Sequence, residues 1–549
     1  MDRIIFLVLF AATTSARPWI SQRQDNTSTA AISDFADITP SADINWVPCF
    51  ETFECTYLTV PLDYEEPAAG TTNVAYVKLS SGNPTAQDIL VNPGGPGSSG
   101  VGYVIESGPK ILKLLNGAYN IIGFDPRGVN NTGPTLSCAP TPEMRALYKA
   151  PSVEAPLAIH YSNSKSLGQF CTQVNANNDT KYAGTVASVQ DMVHFTTLQA
   201  AANGNSNPEA EPIWYYGVSY GTVIGQTLAA LFPHRLGRVI LDANVYGVEH
   251  YTGYAPSAIE DTDKTFSTFF QYCFEAGVEL CPYAGTSTSA ADIEERFRAL
   301  LQALEDEPLP NPLSVGIVGR SELELRGFMT MYKPIPRFYT LGLELAALER
   351  GNVTEYAMVQ QVSAQPGGAI ASNPEYAGLG EIEAQKLITA IDASDRYAIT
   401  SLAEYKEVHA TLKSASQYGG HGIAVENTLF ANGMGIMPPE SQRFPGFKHV
   451  NCSAPILFIG TAADPITPIS SAHKMAQYFA GSVVLSQNSP GHSFQSIDSK
   501  CMLGYVATYL ADGTLPDAGT VCEVDLTPAE VFEKGKEEVG KLLAGAEKM

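Results

Sequence analysis

The chain has 549 residues, 44% hydrophobic and 16% charged, enough for a large core and more than one folding unit. Its 57 Asp and Glu outnumber 33 Lys and Arg, for a formal charge of −24. That acidity argues against nucleic acid and anionic membranes as partners.

At the N-terminus, Met1-Asp2-Arg3 precedes an apolar run over residues 4–12 and then small residues up to Ala16. The run is too short to span a bilayer and suits a signal peptide, residues 1–16. Residues 17–45 read as a flexible leader or propeptide. No later segment is long and apolar enough to span a bilayer. Export would let the nine cysteines pair. By proximity these are Cys49 with Cys55, Cys273 with Cys281 and Cys501 with Cys522. Cys138 and Cys171 remain for a longer link, and Cys452 is left over. Sequence alone does not fix that connectivity. Sequons stand at Asn26, Asn130, Asn178, Asn352 and Asn451, and export makes them glycosylation sites.

From Trp46 the chain turns β-rich, with strands expected over 57–60, 74–79, 89–91, 120–124, near 214 and over 238–242. Buried apolar strands alternating with helices imply a mostly parallel sheet. Helical patterns fill 263–276, 291–304, 338–350 and 381–391, separated by Gly/Pro-rich breaks. Core-type strands return over 455–460 and 482–485. Residues 46–245 and 450–525 therefore read as one α/β core, with 246–449 inserted as a helical cap and 526–549 as a tail helix. Two domains in series is the alternative, and the late return of core-type strands favours insertion.

The sharpest motif is Gly217-Val218-Ser219-Tyr220-Gly221. It lies between a β-prone aromatic stretch and a helical one, the strand–serine–helix turn that α/β-hydrolases use as a nucleophile elbow. Alone it is a weak signal in a chain with 47 glycines. The order of two residues further along the chain strengthens it. Asp464 sits just past the strand over 455–460, and His492 lies in the loop after the next strand. A nucleophilic serine needs a base to take its proton, and that base needs a carboxylate to fix its tautomer. A turn aspartate before proline and a surface histidine are the competing readings of these two residues. Two backbone N–H groups would stabilise an oxyanion. Tyr220 is placed to give one, and Gly95, in Asn92-Pro93-Gly94-Gly95-Pro96-Gly97, the other. No metal motif, dinucleotide fingerprint or P-loop is present, so no cofactor or metal is implied.

The same residues resemble a known family. The segment Asn92 to Gly97 resembles the HGGPG-type loop of prolyl aminopeptidases, with proline where histidine usually stands. Asp125-Pro126-Arg127-Gly128 resembles the companion D-x-R-G segment. Residues 55–64, 464–476, 490–493 and 512–522 are similar to secreted tripeptidyl aminopeptidases. The resemblance covers most of 46–525. It implies an α/β-hydrolase fold with a helical cap, and a secreted serine exopeptidase with Ser219, Asp464 and His492 as its triad. Such an enzyme must hold a cationic α-amino group, for which Glu249, Glu260 and Asp261 are candidates. For the run 260–263, a solvated helix N-terminus is the blander reading. The implied substrate is a peptide or small acyl compound, and the chain is read as a monomer. An esterase or amide hydrolase of small natural products is the alternative, because one triad cleaves both bond types.

Overall fold

A computed structural model describes residues 32–141, 143–144, 155–314, 316–363, 379–394, 396, 398–426 and 433–546. The proposed signal peptide and Asn26 lie outside them.

Ten strands form one sheet. An antiparallel flank is made by β1 (Val47–Cys49), β2 (Phe53–Pro61) and β3 (Thr71–Leu79), which pairs antiparallel with β5 (Asn120–Phe124). From β5 the sheet is parallel. It runs through β4 (Asp88–Asn92), β6 (Ile213–Val218), β7 (Leu236–Asp242), β10 (Leu457–Ala463), β11 (Val483–Pro490) and β12 (Val521–Glu523). A separate two-stranded hairpin, β8 (Leu309–Pro310) with β9 (Ile317–Val318), belongs to the helical region.

The apolar strands explain why both sheet faces are covered. Side chains alternate along each strand, so Leu90 enters one cluster and its neighbours Ile89 and Val91 the other. Helices Thr185–Ala202 and Tyr220–Leu231 cover the first face, while Gly100–Leu114 and Lys500–Asp512 cover the second. Strands β7 and β10 are sheet neighbours, Ile240 opposite Leu457. The chain between them leaves the sheet, forms helices and returns to the same edge.

Those helices carry their own core. Phe266, Phe269, Phe297, Phe338 and Leu345 are fully buried there, and Val531 and Phe532 of the last helix, Pro528–Ala546, join them. The tail helix is thus a structural member of the helical layer. The expected helices are present as Thr262–Ala276, Ala290–Asp306, Pro334–Glu349 and Leu379–Ala393.

The expectation of a flexible leader over 17–45 fails for its described part. Residues 32–45 lie along the sheet edge, with Ile32 bridging to Cys49 and Ser41 to Leu58. Phe35 is buried against Phe50 and Tyr57, and Ile38 is buried beside it. Two apolar anchors in a polar Ser/Thr-rich stretch are enough to dock it. Four disulfides join Cys49–Cys55, Cys138–Cys171, Cys273–Cys281 and Cys501–Cys522, with Cys452 free.

Candidate active site

The carboxyl ends of β4, β6, β7, β10 and β11 converge on one region, the usual place for function in an open α/β sheet. At the end of β6, Ser219 has φ 56° and ψ −126°, a sparsely populated conformation for a side-chain-bearing residue. Its glycines are explained by close approach. A Cβ on Gly217 would lie 2.4 Å from the Gly221 carbonyl oxygen, and one on Gly221 would lie 2.6 Å from the Asn92 carbonyl oxygen. Elbow and helix start are pressed together too tightly for any side chain.

Asp464 and His492 meet as the chain order suggested. His492 Nδ1 lies 2.9 Å from Asp464 Oδ2 and 3.1 Å from Oδ1. The amides of Ile466 and Thr467 donate to Oδ1, and Thr467 Oγ1 donates to Oδ2 at 2.8 Å. Asp464 is fully buried, while the His492 side chain keeps 12% exposure. The His492 amide donates to the Tyr332 carbonyl at 3.0 Å, and the Tyr332 ring sits edge-on 5.0 Å away. Burial disfavours the imidazolium, but the Asp464 carboxylate, aided by Asp242, outweighs it and raises the His492 pKa.

Sequence reading missed what ties serine to histidine. Asp242, ending β7, takes the Ser219 amide on its backbone carbonyl at 3.0 Å. Its buried carboxylate accepts from Ser493 Oγ, from the Tyr216 hydroxyl at 2.9 Å and from the Phe494 amide at 3.3 Å. One residue therefore holds the elbow and the His492 loop together. Burial pushes its pKa up to about 6 against the pull of those hydrogen bonds. The available signal was an acidic residue closing the apolar run Val239-Ile240-Leu241.

The glycine loop after β4 lies against the elbow. A Cβ on Gly94 would fall 2.5 Å from the Val218 carbonyl oxygen and 2.9 Å from the Tyr220 nitrogen. The Gly94 amide is committed to Asn92 Oδ1 at 3.0 Å. The amide of Gly95, at φ +102°, has no acceptor among the described residues. Tyr220 opens its helix, so its amide has no acceptor within that helix.

Two of the three acidic candidates have partners of their own. Glu249 accepts from the Ser257 amide and hydroxyl, and burial raises its pKa. Glu260 pairs with Lys474 at 3.5 Å and accepts from Ser470. Asp261 has a pKa raised by burial and by the field of Asp464, with Lys264 opposing. Of the three, Asp261 feels the Asp464 charge. Among the sequons, Asn178, Asn352 and Asn451 are exposed. The Asn130 side-chain nitrogen donates to Ser99 and Asp125, and Thr132 of that sequon is buried. Arg127 of the D-x-R-G segment is fully buried against Asp191 and the carbonyls of Pro61, Leu62 and Tyr182, a structural brace.

Residues 89–280 match the family described as alpha/beta hydrolase fold, and residues 435–522 match the one described as TAP-like protein. The chain has the α/β-hydrolase fold, and its C-terminal segment is TAP-like. The hydrolase is 23% identical to the serine protease Hip1 of Mycobacterium bovis, covering 87% of this chain and 91% of that protein. It is equally similar to the tripeptidyl aminopeptidase of Streptomyces lividans, with 89% and 88% covered. Carboxylesterase B of Mycobacterium tuberculosis is also 23% identical, over 86% of each.

Proposed function

We propose that this serine hydrolase is an exported aminopeptidase that releases short peptides, tripeptides in particular, from free peptide N-termini. The observation that carries the catalytic part is the Asp464–His492 hydrogen bond held to the Ser219 elbow through Asp242. In this reading His492 Nε2 takes the Ser219 proton as Oγ attacks the scissile carbonyl. The Gly95 and Tyr220 amides stabilise the oxyanion. The imidazolium, steadied by Asp464, returns the proton to the leaving amine, and water then frees the acyl group by the same route. The TAP-like match and the tripeptidyl aminopeptidase relative support the peptide N-terminus as substrate. The apolar N-terminal run and four disulfides support export.

The esterase reading keeps a specific support, the carboxylesterase relative at equal identity. Tripeptide chromogenic amides with free and blocked N-termini, assayed beside short-chain esters, separate the two. Cleavage of free but not blocked peptides is expected. Ester turnover without amide turnover would reject the aminopeptidase. Ser219→Ala abolishes activity of either kind while leaving the unfolding transition in place, and full activity in that variant would discard the triad.

A further inference from the structure

One buried polar chain links the nucleophile elbow to the inserted helices. Tyr220 is 2% exposed, and its hydroxyl lies 2.6 Å from Thr185 Oγ1. Thr185 Oγ1 in turn donates to Asp392 Oδ2. With that proton committed to the carboxylate, the Tyr220 hydroxyl is the donor in its own bond to Thr185. His250 Nε2 completes the chain at 2.8 Å from Asp392 Oδ2, and its ring packs 5.5 Å from the Tyr220 ring. Asp392 Oδ1 also accepts the Thr185 amide at 2.8 Å. That bond replaces the cap which Gly184, at the head of helix Thr185–Ala202, has no side chain to supply.

Asp392 stands on helix Leu379–Ala393, whose other end touches the glycine loop. Glu381 accepts from Ser98 Oγ, Gln385 Nε2 approaches the Gly95 carbonyl at 3.5 Å, and a Cβ on Gly97 would lie 2.5 Å from the Glu381 carbonyl oxygen. One helix thus rests on the glycine loop directly and reaches the elbow through Thr185.

We propose that Asp392 is a positioning residue for the oxyanion site, acting through Thr185 on Tyr220. This rests on the reading of Gly95 and Tyr220 as oxyanion donors. The Tyr220 amide can stay aimed only if its Cα is fixed, and the anchored hydroxyl fixes the far end of that side chain. The helix that carries Asp392 therefore contributes to rate. A donor removed outright costs about 10²–10³-fold in kcat, so a donor left loosely aimed costs about tenfold.

Thr185→Val is the decisive variant, because it keeps the amide bond to Asp392 and cuts only the hydroxyl link. On whichever chromogenic amide or ester the assay above finds to be turned over, Thr185→Val and Tyr220→Phe should each lower kcat about tenfold with KM within twofold. Affinity for a peptide aldehyde, which forms an oxyanion on Ser219, should fall in parallel. Thr185→Ser should recover most of the kcat lost in Thr185→Val. Asp392→Asn combined with Tyr220→Phe should be no worse than Asp392→Asn alone. Wild-type kcat in folded Thr185→Val, a loss confined to KM, or a loss that follows the melting temperature without weakening the aldehyde would overturn the proposal. Ser219→Ala run in parallel separates the two levels. If it is inactive and Thr185→Val is normal, only the positioning role falls; if it is active, the oxyanion reading falls with it.

Discussion

His492 must be neutral to accept a proton, and its neighbours hold its pKa above the ordinary histidine value. The acid limb of kcat/KM should therefore have its midpoint above about 6.5. Asp464→Asn should shift that midpoint down and cut the rate by orders of magnitude, about 10⁴-fold in the template triad. A pH–rate profile on both proteins checks this, and an unmoved midpoint would contradict it. Asp242 works in the opposite sense. Its folded pKa of about 6 stands above the unfolded 3.8, so the folded state prefers the neutral acid. The stability this contributes is complete below pH 3.8 and is lost as pH rises through 6, by about 3 kcal/mol in all. Asp242→Asn, which cannot ionise, should therefore gain stability relative to the parent between pH 4 and pH 7, as read by urea unfolding at both values. Ser219, Asp464 and His492 could be singled out in the sequence because the chemistry proposed for them fixes residue type and chain order. Asp242 and Asp392 were not, since an isolated aspartate carries no order and its role exists only once distant segments meet.

At the level of elements, the glycine loop sets a tight constraint next to the elbow. Gly94 has φ +103° and faces the Val218 carbonyl. Gly94→Ala should cost about 1–3 kcal/mol in backbone strain. It should cost more in activity, because relief of the clash moves the loop away from Ser219. Chemical denaturation beside steady-state kinetics separates the two effects; full activity would show that the loop is not seated as described. Most strands and the four helices expected between 263 and 391 were readable from the sequence pattern, whereas Gly100–Leu114, Thr185–Ala202 and Lys500–Asp512, which cover the sheet, were not read. Contacts between the loop and helix Leu379–Ala393 were not, because they join residues nearly three hundred positions apart through backbone and short polar groups. The docking of residues 32–45 escaped notice for a related reason. Composition reports average polarity, whereas Phe35 and Ile38 suffice to hold the segment down.

Across the whole molecule, the late return of apolar strands suggested an inserted helical segment, and β7 and β10 do pair side by side. The tail helix was visible as a helix, but its destination was not. Phe532 is fully buried against Phe269 and Phe338, which lie on helices of the inserted region. Phe532→Ala should destabilise that layer by about 3–5 kcal/mol. Urea unfolding should show a lower midpoint, and an unchanged one would place the last helix outside the layer's core.

The helix Pro528–Ala546 also bears on the order in which the fold can be completed. Domains generally fold from the N-terminus as the ribosome delivers them. Here strand β7 is finished long before its partner β10 is made, so its edge stays open while the helical layer is translated. The layer in turn waits for Val531 and Phe532. Ser219 is therefore synthesised well before Val531 and Phe532, the side chains that complete the helical cluster.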